Sequence, residues 1–143
     1  MTFEFNPSTL SEPEKAETDV ATTALRVLVW RRASQEVIQP RPIDRQASVD
    51  QGDTLYGVDC ADCHGLDGHT PTDEGRWMYP RVANLISSQA QRYSDRELFW
   101  IVKNGIRLSS MPAFAKVEID EDIWNLIEYL RTLPGTNSVI TPR

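Results

Sequence analysis

Apolar residues recur at helical spacing in four segments of the 143-residue chain. The first segment predicts a helix over about residues 12–33. The face of this helix that should pack on the core consists of Val20, Ala24, Val27 and Leu28. The other three predict helices whose core-facing residues are Leu55, Tyr56 and Cys60, then Leu98, Ile101 and Val102, then Ile123, Leu126, Ile127 and Leu130. No segment alternates with period two, so the pattern predicts an all-α protein.

Short polar motifs indicate where these helices begin and end. The capping box is a hydroxyl residue with Glu or Gln three positions later, and it occurs at Ser11, Ser48 and Ser94. The last helix is predicted to begin at Asp120. Gly105 is predicted to stop the helix before it, because glycine readily adopts the backbone conformation of a helix end.

Two stretches, residues 64–92 and 105–118, carry few helix signals and are predicted to be long loops. Loops of this length in a compact domain need something large to pack against, and a flat apolar cofactor would serve. Residues 35–46 hold two prolines and are predicted to form an extended connector. The predicted organisation is an extension over residues 1–47, a helical domain over residues 48–134 and a tail over residues 135–143.

Charge and composition exclude several classes of protein. The net charge is −6, with seven acidic and no Lys or Arg side chains in residues 50–74, and seven basic against two acidic side chains in residues 75–116. An acidic chain without a basic stripe argues against nucleic acid as a partner. The apolar runs are about half the roughly 20 residues that cross a bilayer, so no transmembrane segment is predicted.

The stretch CADCH holds both cysteines of the chain and one of its two histidines, as Cys60, Cys63 and His64. Two cysteines at this spacing serve as a redox dithiol, as half of a zinc site or in covalent haem attachment. A zinc site needs about four N or S ligands, and beyond this stretch only His69 and carboxylates remain. A redox dithiol expects a βαβ pattern, which the sequence lacks. Haem attachment uses all three residues: two thioethers to the vinyl groups and an imidazole below the iron.

A sixth ligand to such an iron is predicted in the second loop, where SSMPAF offers Met111. Methionine more often fills gaps in a core, but this one lies between serines and a rigid proline. Met78 has Trp77 and Tyr79 as neighbours, which favours a packing role. His69 is only five residues from His64, and so short a loop has difficulty reaching the opposite haem face.

Four stretches together resemble a bacterial monohaem c-type cytochrome of class I: GDTLYGVDCADCHGLDG, YPRVANL, SDRELFWIVKNGIRLSSMPAF and DEDIWNLIEYLRTLP. The resemblance covers about residues 50–134. It implies an all-α class I cytochrome c fold, here with an N-terminal helical extension, and one covalent haem c. It also implies attachment at Cys60 and Cys63 and iron ligation by His64 and Met111.

The resemblance further implies that the first and last helices of the domain cross. Gly52 and Tyr56 match the positions of this crossing on the first helix, and the last helix is expected to meet them at Trp124, Ile127 and Tyr129.

In many class I cytochromes a proline carbonyl just before an Asn-Leu pair accepts a hydrogen bond from the histidine ligand. Here Val82 and Ala83 precede that pair and Pro80 lies further back, so the sequence leaves the identity of the carbonyl open.

The function expected from these features is soluble electron transfer, with iron cycling between its ferric and ferrous states. With both axial positions filled by side chains, a carrier is expected and not an enzyme. Two alternatives stay open: a haem sensor or small-molecule binder whose methionine leaves the iron, and an electron-entry module of a larger oxidoreductase. The partners are then redox proteins, the protein is expected to be a monomer, and covalent haem implies a periplasmic or cell-surface location reached with a leader that this chain lacks.

Overall fold

A computed structural model describes the backbone of residues 12–78 and 80–133, with side chains from residue 20 onward. All regular secondary structure in these ranges is helical, which confirms the all-α prediction. The helices are α1 (Glu12–Gln35), α2 (Arg45–Asp59), α3 (Ala61–His64), α4 (Asp73–Trp77), α5 (Ser88–Gln91), α6 (Asp95–Asn104) and α7 (Asp120–Leu130). None of the helices described is both long and apolar enough to cross a membrane.

Helices α2 and α7 touch backbone to backbone at Gly52. A Cβ placed on Gly52 would lie 2.0 Å from the carbonyl oxygen of Asn125 and 2.8 Å from Cβ of Tyr129. One turn later the Tyr56 and Tyr129 rings pack with centroids 5.2 Å apart. The predicted crossing at Gly52 and Tyr56 is therefore present, with Tyr129 as the expected partner and Asn125 as a contact that the sequence did not indicate.

The core lies between α2, α6 and α7. Helix α7 buries all four predicted residues, since Ile123, Leu126, Ile127 and Leu130 are each less than a tenth exposed. Trp124, predicted at the α2 crossing, pairs with Phe99 of α6 at a centroid distance of 4.9 Å. Because α7 carries apolar side chains on several sides, it packs against both α2 and α6.

The predicted capping box at Ser94 is present and the one at Ser48 is wrong. Ser94 accepts the amide hydrogen of Glu97, and the Glu97 carboxylate accepts that of Ser94. Helix α2 instead begins three residues before Ser48, because the Asp44 carboxylate accepts a hydrogen bond from the Ala47 amide at 3.1 Å and caps the helix first. Ser48 is consequently buried inside the helix. The motif predicted at Ser11 lies outside the described residues.

Helix α1 packs on α6 with a different face from the one predicted. Val29 and Ala33 are 0% and 1% exposed, whereas Val27 and Leu28 are 51% and 58% exposed. The prediction failed because α1 carries apolar residues on two opposite faces, and spacing alone does not show which face the neighbour covers. Arg96 of α6 then secures the end of α1 by donating to the Ala33 carbonyl at 2.6 Å.

The connector after α1 is held by polar contacts with the ends of α6 and α7. The Trp124 indole N–H donates to the Gln39 carbonyl at 2.8 Å, and the Arg41 guanidinium lies 5.1 Å from the centroid of the Trp124 ring. Arg41 also forms ion pairs with Asp95 and Glu128. These contacts fix the connector against the domain at Gln39 and Arg41.

The first predicted loop contains two short helices, α4 and α5, so the expectation of a structureless segment is wrong there. Both are started by a side-chain cap, since Thr72 and Ser87 accept amide hydrogens three residues ahead. Their four or five residues are too short to give a periodic apolar pattern. The second predicted loop, residues 105–118, contains no helix and follows Gly105 as expected.

Replacing Val29 by Ala should lower the free energy of unfolding by about 1 to 2 kcal/mol, because two methyl groups leave a fully buried site. The matched control is Val58→Ala, the same change at an exposed position of α2, and it should change stability by less than about 0.5 kcal/mol. Urea unfolding of the haem-loaded protein measures both. Equal losses would show that α1 does not pack through the Val29 face.

Replacing Gly52 by Ala should destabilise the protein by more than about 2 kcal/mol, because the new methyl group meets the Asn125 backbone, which cannot move aside. Gly57 lies in the same helix with open space around its Cα, and Gly57→Ala should instead stabilise by about 0.5 to 1 kcal/mol. Thermal unfolding compares the two variants, and a tolerated Gly52→Ala would contradict the close crossing of α2 and α7.

Candidate haem site

The cysteine and histidine residues lie on one turn between α2 and α3. Cys60 ends α2 and precedes α3, and its carbonyl accepts amide hydrogens from Cys63 at 3.1 Å and His64 at 2.9 Å. These bonds hold both sulfur atoms and the imidazole within a single helical turn. The predicted position of the motif at the end of a helix is confirmed.

The carbonyl of Ala83 orients His64, which answers the question that the sequence left open. It lies 3.0 Å from Nδ1 of His64. A carbonyl only accepts hydrogen bonds, so Nδ1 carries the proton and Nε2 keeps its free electron pair. The Leu85 amide donates to the Gly68 carbonyl at 2.8 Å and so ties the segment that carries Ala83 to the loop after His64.

Burial keeps this imidazole neutral. It lowers the pKa of His64 because the charged form loses its solvation, and the hydrogen bond to the Ala83 carbonyl opposes this effect only in part. A neutral ring with a proton on Nδ1 is the form in which histidine binds a metal through Nε2.

Tyr56 connects the helix crossing to the histidine turn. Its buried hydroxyl donates to the Gly65 carbonyl at 2.7 Å, and burial raises the pKa of Tyr56 far enough to keep that hydroxyl protonated. Gly65 has a φ of +74°, and a Cβ there would lie 2.1 Å from the Thr70 carbonyl oxygen. The sequence indicated only a packing role for Tyr56, because apolar spacing carries no information on where a hydroxyl points.

His69 lies on a tight turn organised by Asp67. The Asp67 carboxylate accepts the amide hydrogens of His69 at 3.0 Å and Thr70 at 2.8 Å, together with the Thr70 hydroxyl at 2.7 Å. These hydrogen bonds, the His69 amide first, lower the pKa of Asp67 to about 2. The His69 ring sits 3.3 Å from the same carboxylate and is about half exposed, as the sequence suggests for a loop histidine.

Met111 is held in place by its backbone. Its amide donates to the Ser109 hydroxyl at 3.1 Å, and its carbonyl accepts from Ile106 at 3.3 Å. Gly105 has a φ of +69°, and a Cβ there would lie 2.8 Å from the Met111 carbonyl oxygen. The Met111 side chain is half-buried against the same hydrophobic core that Cys60 contacts.

Met78, the competing methionine, is half-buried just after α4, where its amide donates to the Gly75 carbonyl at 3.4 Å. Its neighbour Trp77 is 89% exposed, and Tyr79 lies outside the described residues. The sequence predicted that Met78 packs among apolar neighbours, but Trp77 is exposed and does not provide such packing.

The protonation of the Cys60 thiol argues against the other two uses of the motif. Burial, and then the Asp59 carboxylate, raise the pKa of Cys60 to about 12. Redox dithiols and zinc sites both use thiolates, which form at lowered pKa. Nor do the side chains of residues 20–78 and 80–133 contain a group of three His, Cys, Asp or Glu placed to hold a metal ion.

The residues present fit a covalent haem. Cys60 and Cys63 are free cysteines one helical turn apart, and His64 offers Nε2 to an iron. Large apolar side chains are exposed at Leu66, Trp77 and Leu108, in the chain segments after His64 and before Met111, as expected where a large apolar ligand binds. Cys60 and Cys63 would hold the group and His64 would ligate its iron.

A carboxylate pair close to Cys60 should make stability depend on pH. Burial, and then the Asp59 and Asp122 carboxylates, raise the pKa of Glu118 above its reference of 4.5. The folded protein thus binds this proton more tightly than the unfolded chain does, and the resulting stability is complete below the unfolded pKa and lost as the pH rises through the folded pKa.

Replacing Glu118 by Gln should therefore raise the melting temperature at pH 7, with the gain shrinking as the pH falls through the raised folded pKa and absent below the reference of 4.5. Glu74→Gln makes the same chemical change at an exposed site on α4 and should give no such gain. Melting curves from pH 3.5 to 7.5 measure the effect, and a gain that is independent of pH would show that the fold does not raise the pKa of Glu118.

Comparison with known proteins identifies the family. The family model described as Cytochrome C oxidase, cbb3-type, subunit III matches residues 47–130, which is more than half of the chain. No curated protein matches the sequence closely enough to be counted as a relative. The matched segment contains the Cys-His turn, the Ala83 carbonyl and Met111. The chain therefore belongs to this family, and its domain is a c-type cytochrome that carries covalently bound haem c with its iron.

Proposed function

We propose that this cytochrome is a soluble electron carrier with one haem c, attached through Cys60 and Cys63 and ligated by His64 and Met111. The observation that carries the proposal is the 3.0 Å contact between Nδ1 of His64 and the Ala83 carbonyl. It fixes the ring in the tautomer whose Nε2 is free to bind an iron, and this supports His64 as a ligand.

Met111 is supported as the second axial ligand by its setting. Its backbone is pinned by Ser109 and by the tight turn at Gly105, while its thioether packs toward the core that also contacts Cys60. A thioether ligand suits haem iron and raises its reduction potential relative to other donors. No comparable support favours Met78, which follows the five-residue helix α4.

The haem supplies a single-electron couple between ferric and ferrous iron. The chain's own residues would bind it at two sulfur atoms and hold the imidazole at a fixed angle through the Ala83 carbonyl. With His64 and Met111 both bound to the iron, a substrate would have no coordination site. The protein thus passes electrons between redox partners and does not transform a substrate.

A second candidate function is electron entry into a larger oxidoreductase, since the description of the family names an oxidase subunit. Haem c domains typically lie outside the cytoplasm, and a periplasmic or cell-surface location is part of the proposal. A sensor with a labile methionine is the third reading, because Met111 lies on a helix-free loop. Copurification from native membranes separates the second reading from a free carrier.

Replacing Met111 by Ala should abolish the weak far-red absorption band that reports sulfur bound to ferric haem, lower the reduction potential and open the iron to added imidazole. The reason is that the thioether both occupies the site and stabilises ferrous iron. Met78→Ala is the matched control and should leave the band, the potential and ligand exclusion unchanged. If Met78→Ala removes the band and Met111→Ala keeps it, the assignment is reversed.

A further inference from the structure

Helix α1 has an apolar face that the described residues leave largely exposed, with Glu97 of α6 beside Val27 at its edge. Val20, Val27 and Leu28 are 70%, 51% and 58% exposed, and Ala24 lies between them. The opposite face, with Val29 and Ala33, packs on α6. Spacings of four and three residues join Val20, Ala24 and Val27, which is the pattern of a helix that packs against another helix. Such a stripe over more than two turns is seldom left in water.

The acidic residues and the arginines of α1 lie in different halves of the helix, with the apolar stripe centred between them. Its first eight residues hold four acidic side chains and one lysine: Glu12, Glu14, Lys15, Glu17 and Asp19. From Val20 to Gln35 it holds three arginines and no acidic residue: Arg26, Arg31 and Arg32. The helix dipole alone favours these signs at each end. It does not account for an exposed apolar stripe centred between them.

We propose that α1 pairs with α1 of a second copy of this chain in antiparallel orientation. Two such helices, centred near Ala24, bring the apolar stripes together, and the order of charges along the sequence, acidic before Val20 and basic after it, makes an antiparallel pair complementary. Ala24 lets the helices approach closely at the centre. A parallel pair would align like charges, and an anionic membrane surface would repel the acidic half of the helix. The self-complementary arrangement is the one expected of a two-fold symmetric dimer.

This dimer departs from the monomer expected from the sequence and does not depend on the identity of the haem ligands. A single pair of helices is at the lower end of specific interfaces, which bury about 1,200 to 2,000 Å². We therefore expect association at micromolar concentrations that weakens as salt screens the charges.

Sedimentation equilibrium of the haem-loaded protein from 1 to 500 µM tests the proposal. The wild type should form dimers, and Val27→Glu should raise the dissociation constant at least tenfold. Val58→Glu is the control, since Val58 is 71% exposed on α2 and lies away from the stripe. It should dimerise like the wild type. Haem absorption and circular dichroism show that each variant is folded.

A charge swap tests the antiparallel orientation. Replacing Arg31 and Arg32 by Glu should weaken the dimer at least tenfold. Adding Glu17→Arg and Asp19→Arg to the same chain should restore affinity to within about threefold of the wild type, because the two halves are again complementary. Failure of this rescue overturns the antiparallel arrangement.

Two other outcomes overturn the proposal as a whole. One is a monomer at every concentration. The other is a monomer that cosediments with phosphatidylglycerol vesicles and loses this binding on Val27→Glu, which would assign the face to a lipid surface. Neither outcome affects the electron-transfer function, which the absorption spectrum of the methionine variants tests separately.

Discussion

The contact between Gly52 and the Asn125 backbone is the constraint on which the rest of the domain depends. Only a residue without a side chain lets α2 and α7 approach this closely. This close approach sets where Tyr56 lies along α7. The Tyr56 hydroxyl then donates a hydrogen bond to the carbonyl of Gly65, the residue immediately after His64. A loss of packing at the crossing would thus disturb the position of the His64 imidazole, although Gly52 and His64 lie on different helical turns.

Polar contacts hold the outer elements of the domain together, as the crossing of α2 and α7 holds its centre. Arg131, at the end of α7, donates to the Asp95 carboxylate at 2.8 Å, the Gln91 side chain at 2.7 Å and the Tyr93 carbonyl at 2.6 Å. Asp95 also pairs with Arg41 of the connector. Because one carboxylate serves both arginines, the connector, the start of α6 and the end of α7 are joined through a shared charge.

The sequence predicted the helices of the domain and the Cys-His turn because each rests on local signals: apolar spacing, a capping box at Ser94 and a fixed spacing of ligands. It did not predict the start of α2, since Asp44 and Ser48 offer competing caps and only the fold selects one. It also did not identify Ala83 as the carbonyl partner of His64, because a backbone acceptor leaves no mark in the sequence. The prediction of which face of α1 is buried was wrong for a related reason. Two apolar faces fit the same spacing, and contact with α6 determines which of them is buried.

The hydrogen bond from Arg96 to the Ala33 carbonyl has a consequence for the order in which the protein folds. Its two ends are 63 residues apart in the chain, and contacts over such distances form slowly because a long loop must close first. During synthesis, α1 is made before α6, so its Val29 face can be covered only after the second half of the chain has been made. Docking of α1 therefore cannot precede the synthesis of α6.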